Sequence, residues 1–226
     1  MRIIVPERAS ESPGRPAEIV REYGPFPGVS QVHGVTFDGN AVWMATGPAL
    51  QSFDPESGRP LRSLPVTADA GTAFDGRHLY QLAGARILKV DPNTGDVVAT
   101  LPAPEPGPHA GLTWAEGTLW VARYRQKQIV QIHPQTGRVL RTLESTRFVT
   151  GVAWVEGELW HGARGQQSGE KDELLRVDPA SGDVRDRLAM PEGMQVSGVE
   201  WGGQDVLFCG GGTSGTVRAV RRSSAG

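Results

Sequence analysis

One phrase recurs five times along this chain: a glycine, two residues, an aromatic, a short turn, then a hydrophobic–aromatic pair. The copies are GVTFDGNAVW, GTAFDGRHLY, GLTWAEGTLW, GVAWVEGELW and GVEWGGQDVLF. Their leading glycines, Gly34, Gly71, Gly111, Gly151 and Gly198, lie 37, 40, 40 and 47 residues apart. In the first four copies a second phrase follows: FDPESG, VDPNTG, IHPQTG and VDPASG. Short β-branched or aromatic runs separate these turn signals. A period of roughly 40 residues built from short strands and turns is how a propeller blade reads in sequence. The expected fold is therefore all-β: a five-bladed β-propeller with four-stranded antiparallel blades.

The third copy sets the template. GLTWAEG reads as inner strand A and its turn, TLWVAR as strand B, IVQIHP as strand C and RVLRTLE as outer strand D. In Asp-Pro-x-x-Gly the acid bonds nearby amides, proline presets φ and glycine supplies positive φ, so the phrase predicts the C–D turn. His133, standing where the other copies have Asp54, Asp91 and Asp178, is expected to be a turn variant. The fifth copy runs out after TVRAVRR, with no such turn and no strand D. EIVREYGPFP resembles the outer strands RVLRTLES and PLRSLPV, so residues 17–24 are expected to complete the last blade and close the ring. Closure would also remove exposed sheet edges. Residues 1–16 are expected to be irregular, and residues 1–226 to form a single domain.

A formal net charge of −2 and a pI near 6.2 offer no basic stripe for displacing counterions, which argues against a nucleic-acid partner. MRIIVPERASESPG holds no apolar run long enough for a signal peptide or a membrane span. One cysteine, Cys209, rules out an intramolecular disulfide and fits a reducing compartment. A cytoplasmic monomer is expected.

Reading down the aligned copies separates scaffold from candidate site. Phe37, Phe74, Trp114, Trp154 and Trp201 form one aromatic column; Trp43, Tyr80, Trp120 and Trp160, with Leu207 or Phe208, form another. All six tryptophans fall in these columns, which predicts blade-to-blade packing rather than a ligand cage. Function must lie where the copies differ. Two residues after the glycine stand Thr36, Ala73, Thr113, Ala153 and then Glu200. A carboxylate in a column of small residues must be paired, hydrated or shifted in pKa. Either an ion pair with an arginine or a general base would account for it.

By fold-level analogy, ligands meet a propeller on the face where D–A and B–C connections converge. There the chain places His33, Thr150 and Ser197 before their glycines, His109 one step earlier, and longer B–C loops in the third and fourth blades. Those loops, ARYRQKQ and GARGQQSGEKDE, bring Arg123, Tyr124, Arg125 and Arg164, a guanidinium set able to grip a carboxylate or phosphate. The alternative is solvated loop charge beside Glu170, Lys171, Asp172 and Glu173. His161 and Cys209 share the strand-B column of Met44, Gln81 and Val121, a packing column. GGGTSG lacks the Gly-Lys-Ser/Thr ending of a phosphate loop, and no His-x-x-x-His pair is present.

The copies in this order resemble the glutamine cyclotransferase (glutaminyl cyclase) family of five-bladed propellers. The likeness is carried by GTAFDGRHLYQLAGARILKVDPNTGDVVATLPAP and HGVTFDGNAVWMATGPALQSFDPESG, and covers residues 32–220. The blade phrases are also similar to those of streptogramin-lyase-like and gluconolactonase-like propellers. The resemblance implies proton transfer by a carboxylate before the second blade's glycine. This chain has Ala70 there, and His33, Ala110, Thr150 and Ser197 at the other positions the family uses.

The sequence thus points to a small polar ligand at the D–A/B–C face. His33, His109, Thr150, Ser197 and Glu200 would line the floor; Arg123, Tyr124, Arg164 and His161 would complete the binding set. Glu200 or His33 would be the acid or base in a hydrolysis, elimination or cyclisation. The alternatives are a protein- or peptide-binding module on the same loops, and a metal ion held by His33, His109 or Glu200. No cofactor or substrate is named by any motif.

Overall fold

The computed structural model describes residues 2–4, 14–165 and 169–222. Twenty-two strands form five sheets and there are no helices among these residues. Two short strands, β1 (Arg2–Ile4) and β2 (Arg15–Pro16), precede β3 (Glu18–Tyr23). Blade 1 is β4 (Gly34–Phe37), β5 (Val42–Ala45), β6 (Leu50–Phe53) and β7 (Pro60–Leu64). Blade 2 is β8 (Thr72–Phe74), β9 (Leu79–Ala83), β10 (Arg86–Val90) and β11 (Val97–Pro102). Blade 3 is β12 (His109–Ala115), β13 (Thr118–Arg123), β14 (Gln128–Ile132) and β15 (Val139–Glu144). Blade 4 is β16 (Phe148–Val155), β17 (Glu158–Arg164), β18 (Glu173–Val177) and β19 (Val184–Ala189). Blade 5 is β20 (Val199–Trp201), β21 (Val206–Gly210) and β22 (Val217–Arg221), completed by β3. The expected ring closure is therefore present: β3 pairs antiparallel with β22, Tyr23 opposite Val217 and Glu18 opposite Arg221.

Two expectations are corrected. The stretch 1–16 is not wholly irregular: β1 adds in parallel to β15, and β2 adds in parallel to β19. Its residues 5–13 lie outside the described residues. Closure also does not remove sheet edges. It supplies the missing strand of blade 5, but every blade still ends on an outer strand, and among the described residues only those of blades 3 and 4 are covered by a further one.

The repeated glycines have a purpose that their turn-forming reputation hides. None of the five has a positive φ. Instead, their missing side chains let adjacent inner strands touch backbone to backbone. A Cβ on Gly34 would lie 2.7 Å from the Ala70 carbonyl oxygen, and one on Gly111 would lie 2.6 Å from the Val152 amide. Gly71 meets Gly111, Gly151 meets Gly198, and Gly198 returns to Val35 and Gly34. The five contacts close on themselves as a ring around the axis. Any side chain there would overpack a site with nowhere to relax.

Outside the ring the blades pack through their aromatics. Tyr80 of blade 2 stacks on Trp114 of blade 3 at 5.4 Å, Trp120 of blade 3 on Trp154 of blade 4 at 6.1 Å, and Phe208 of blade 5 meets Phe37 of blade 1 at 5.7 Å. The strand-B aromatic of one blade thus meets the strand-A aromatic of the next, and Phe208, not Leu207, fills the last place. The turns behave as expected: Gly58, Gly95, Gly137 and Gly182 all have positive φ, and Asp54, Asp91 and Asp178 accept amides two residues on. His133 takes the same role, its Nδ1 accepting the Gln135 amide at 3.3 Å. A link not anticipated from sequence joins the rim. Arg21, Arg62 and Arg141 on outer strands donate to the Pro55, Pro92 and Pro179 carbonyls of the next blade's turn.

Gly111→Ala is expected to destabilise the protein by about 3 kcal/mol, because the added methyl meets backbone that the ring holds in place. Arg62→Ala, which removes an exposed rim bond, should cost under about 1 kcal/mol. Urea unfolding of both variants measures the difference.

Candidate functional site

One layer beyond the glycine ring, the inner strands present Thr36, Ala73, Thr113, Ala153 and Glu200. Each pairs across to the strand-B aromatic of its own blade: Thr36 opposite Trp43, Ala73 opposite Tyr80, Thr113 opposite Trp120, Ala153 opposite Trp160, Glu200 opposite Phe208. The layer is therefore set by strand register, and Glu200 is its one carboxylate. Thr36 of blade 1 donates its hydroxyl to Glu200 Oε2 at 2.7 Å, and the Trp201 amide donates to Oε1 at 2.7 Å. By surface area Glu200 is partly buried, and the protein around it desolvates its carboxyl. Burial pushes its pKa up to about 7, against the two hydrogen bonds, which favour the ionised form. Among the described residues no cation pairs with it, so the ion-pair account of this carboxylate is overturned.

The other expected site residues stand on the D–A side of the ring. Ser197 precedes the ring glycine Gly198 and Glu200 follows it by two residues, so in the chain the glycine stands between them. His33 is partly exposed, its ring makes no hydrogen bond among the described residues, and desolvation lowers its pKa against the pull of Asp69. Thr150 and Ser197 occupy equivalent places over strand-B glycines, Gly162 and Gly210. Ser197 Oγ donates to the Val32 carbonyl at 2.6 Å and accepts the Gly212 amide at 3.1 Å, so its hydroxyl is committed to the blade 5–blade 1 seam. Thr150 Oγ1 is buried and has no hydrogen-bond partner among the described residues.

The blade 3 residues brace a proline-rich connection. His109 Nε2 bonds the Pro104 carbonyl at 2.7 Å, Arg123 Nε donates to the Pro106 carbonyl at 3.0 Å, and Gln126 donates to the Gly107 carbonyl at 2.8 Å. Arg123 is buried, not a rim group, and its burial lowers the guanidinium pKa. Tyr124 stacks on Phe148 at 4.9 Å, and Lys127 lies over the Phe148 ring at 5.1 Å. Arg164 Nε pairs with Asp172 at 3.6 Å. His161 is buried opposite Val152, as its packing column predicts, with its Nδ1 3.1 Å from the Gly162 carbonyl oxygen; desolvation lowers its pKa to about 4. Burial likewise pushes the Cys209 thiol up to about 12. His33, His109 and Glu200 belong to three different blades, and no cluster of His, Cys, Asp or Glu placed to hold a metal is present among the described residues.

Sequence reasoning passed over Arg147, just before β16. It is buried, pairs with Glu173 and with Glu170 at 3.3 Å, and donates to the Lys171 carbonyl at 2.8 Å. Asp172, read as loop charge, is also buried: it accepts the Val196 amide at 2.9 Å and so ties the blade 4 loop to the connection into blade 5. Residues 166–168 of that loop lie outside the described residues. The only hint of this network was the density of opposite charges in GEKDE.

The ring, the blade order and the axial layer define a five-bladed β-propeller. Its fold is similar to the crystal structure of glutaminyl cyclase from Myxococcus xanthus, with a TM-score of 0.71 over 97% of this chain and 98% of that one, at 18% identity. A hydrazine synthase chain from Kuenenia stuttgartiensis (TM-score 0.50, 16% identity, 72% of this chain, 50% of that) and a chain of a mitotic checkpoint complex (0.53, 14%, 85% and 62%) also match. At such identities the likeness is one of fold. No protein-family model matches the chain, and no curated protein does. No helix among the described residues is long and apolar enough to cross a membrane.

Two buried titrating groups give the stability opposing dependences on pH. The carboxyl of Glu200, raised from 4.5 to about 7, contributes stability that is full below pH 4.5 and is lost as pH rises through 7. His161, lowered from 6.5 to about 4, contributes stability that is full above pH 6.5 and is lost as pH falls toward 4. Each is worth about 3 kcal/mol. Glu200→Gln should raise the melting temperature above pH 7 and leave it unchanged near pH 4. His161→Met, which places in blade 4 the residue that Met44 supplies to the same column in blade 1, should protect against acid. Melting curves across this range check both signs.

Proposed function

We propose that the protein binds a small polar molecule at the propeller axis and that Glu200 exchanges a proton with it. One observation carries this reading: a desolvated carboxyl beside the axis, hydrogen-bonded but opposed by no cation among the described residues, holds its proton near neutrality. A group with its pKa near the working pH is a suitable general acid or base. Its reach extends to hydrolysis, elimination or cyclisation of a small polar substrate. On the D–A side, His33 and the unpartnered Thr150 hydroxyl keep hydrogen-bonding capacity, whereas Ser197, His109 and Arg123 spend at least part of theirs on the scaffold. A reducing, cytoplasmic setting belongs to the same reading, on the single buried thiol of Cys209.

Glutaminyl cyclisation, the activity named for the Myxococcus protein, is not the reaction this site favours. At the position before the second blade's glycine the chain has Ala70 in place of a carboxylate, its carbonyl accepting a bond from Gln81, and the neighbouring Asp69 accepts the Gly84 amide.

A thermal-shift and turnover screen of small esters, lactones, amides and glutaminyl peptides tests the proposal. A ligand should emerge whose binding or turnover follows a proton near pH 7, and Glu200→Gln should lower turnover about 100-fold or more. Glutaminyl peptides should release no ammonia. A ligand handled equally, with one pH profile, by wild type and Glu200→Gln would overturn the assignment.

A further inference from the structure

Strand C carries a second break in the pattern of the blades. Opposite the strand-B column of Met44, Gln81, Val121, His161 and Cys209 stand Gln51, Leu88, Val130, Leu175 and Arg218. Leu88, Val130 and Leu175 are buried packing residues. Arg218 sets a guanidinium in the same place, with its side chain only 7% exposed. Such a group needs partners for its donors. Its Nε donates to Glu22 Oε2 at 2.6 Å, from the residue directly opposite on β3. The two Nη groups, four of the five N–H donors of a guanidinium, make no hydrogen bond among the described residues, and neither nitrogen is sealed from solvent.

The fork ends at the turn of residues 211–216, between β21 and β22. Gly211 has no side chain, and the place its Cβ would take lies 2.8 Å from Arg218 Nη1, 2.8 Å from Thr216 Oγ1 and closer still to Ser214 Oγ. The glycine therefore leaves a cradle on which a guanidinium and two hydroxyls converge. Ser214 and Thr216 bond each other at 2.8 Å, and Ser214 donates to the Gly211 carbonyl at 2.9 Å, which fixes both hydroxyls at its wall. The turn is itself held: Gly212 bridges to Val32, and its amide donates to Ser197 Oγ. Thr213 and Ser214 are exposed whereas Gly211 and Thr216 are buried, so the cradle opens on the side of the first two.

We propose that this cradle binds an oxyanion, a carboxylate or a phosphate, gripped by the two Nη groups of Arg218. The planar fork matches two oxygens of one such group. Glu22 engages Nε alone and leaves that edge free. The hydroxyls of the turn are bonded to one another and to Gly211, so the chain offers the fork no acceptor of its own there. Glu200 takes no part, and the site stands apart from the proton exchange proposed above.

Titration calorimetry of the full chain at constant ionic strength tests this, with inorganic phosphate and acetate as probes. Wild type should bind at least one of them with a Kd on the order of 1 mM, as a single guanidinium fork supplies. Binding of phosphate alone assigns a phosphate site, and binding of acetate alone a carboxylate site. Arg218→Lys keeps the charge, loses the fork and should weaken binding about tenfold. Gly211→Ala fills the cradle and should abolish binding; Gly211 has no positive φ, so the variant is expected to fold by circular dichroism. Glu22→Gln, at a half-exposed position, removes the competing carboxylate and should tighten binding several-fold. Absence of binding to wild type by either probe at up to about 50 mM would overturn the proposal. So would binding that is the same in wild type, Arg218→Lys and Glu22→Gln.

Discussion

Backbone contact at the axis is the constraint on which this structure depends. Five inner strands converge until Gly34, Gly71, Gly111, Gly151 and Gly198 touch in a closed cycle, each occupying the space a side chain would need. Interiors pack at crystal-like density, so such a contact tolerates no added atom. With the inner edges held, the strand-B and strand-A aromatics of adjacent blades come into stacking range, and the outer arginines reach the neighbouring proline carbonyls. Packing therefore proceeds outward from the ring, and the blade repeat is the sequence record of it.

The candidate chemistry falls into two parts. On the D–A side, much of what looks like a binding set is scaffold: Ser197 closes a seam, while His109 and Arg123 hold a proline-rich connection. Two residues after Gly198, Glu200 breaks a layer of small residues and gains a threonine hydroxyl from the adjacent blade. Desolvation without a counter-charge makes the protonated carboxyl competitive near neutrality. A second break in the pattern, Arg218 in a packing column of strand C, brings a guanidinium fork to the glycine-rich turn of blade 5. Both irregularities acquire meaning only against the regular positions around them.

Much of the fold was legible. Strand identities, the Asp-Pro-x-x-Gly turns, His133 as their variant and the closing strand at residues 17–24 all follow from local patterns of two kinds, alternation and turn chemistry. The packing role of the tryptophans was legible too, because aromatic columns at fixed offsets must meet at fixed heights. The candidate site was legible only as a list of exceptions. Arg123 reads as a rim cation in a long loop, yet it is buried, because the partner that buries it is a connection fifteen or more residues away in the chain. Asp172 and Arg147 were hidden for the same reason.

By itself the sequence determined the number of blades, their strand order and the strand that closes them, since each is written in a repeated local pattern even where, as with β3 and β22, the paired strands lie at opposite ends of the chain. It also marked Glu200 as anomalous. Only the tertiary structure decided what surrounds that carboxyl, which hydroxyls are spent, and which outer edges β1 and β2 cover. Those outcomes rest on contacts between blades, where hydrogen-bond partners lie 164 residues apart, as Thr36 and Glu200 do. Desolvation depends on those contacts, and no local pattern encodes it.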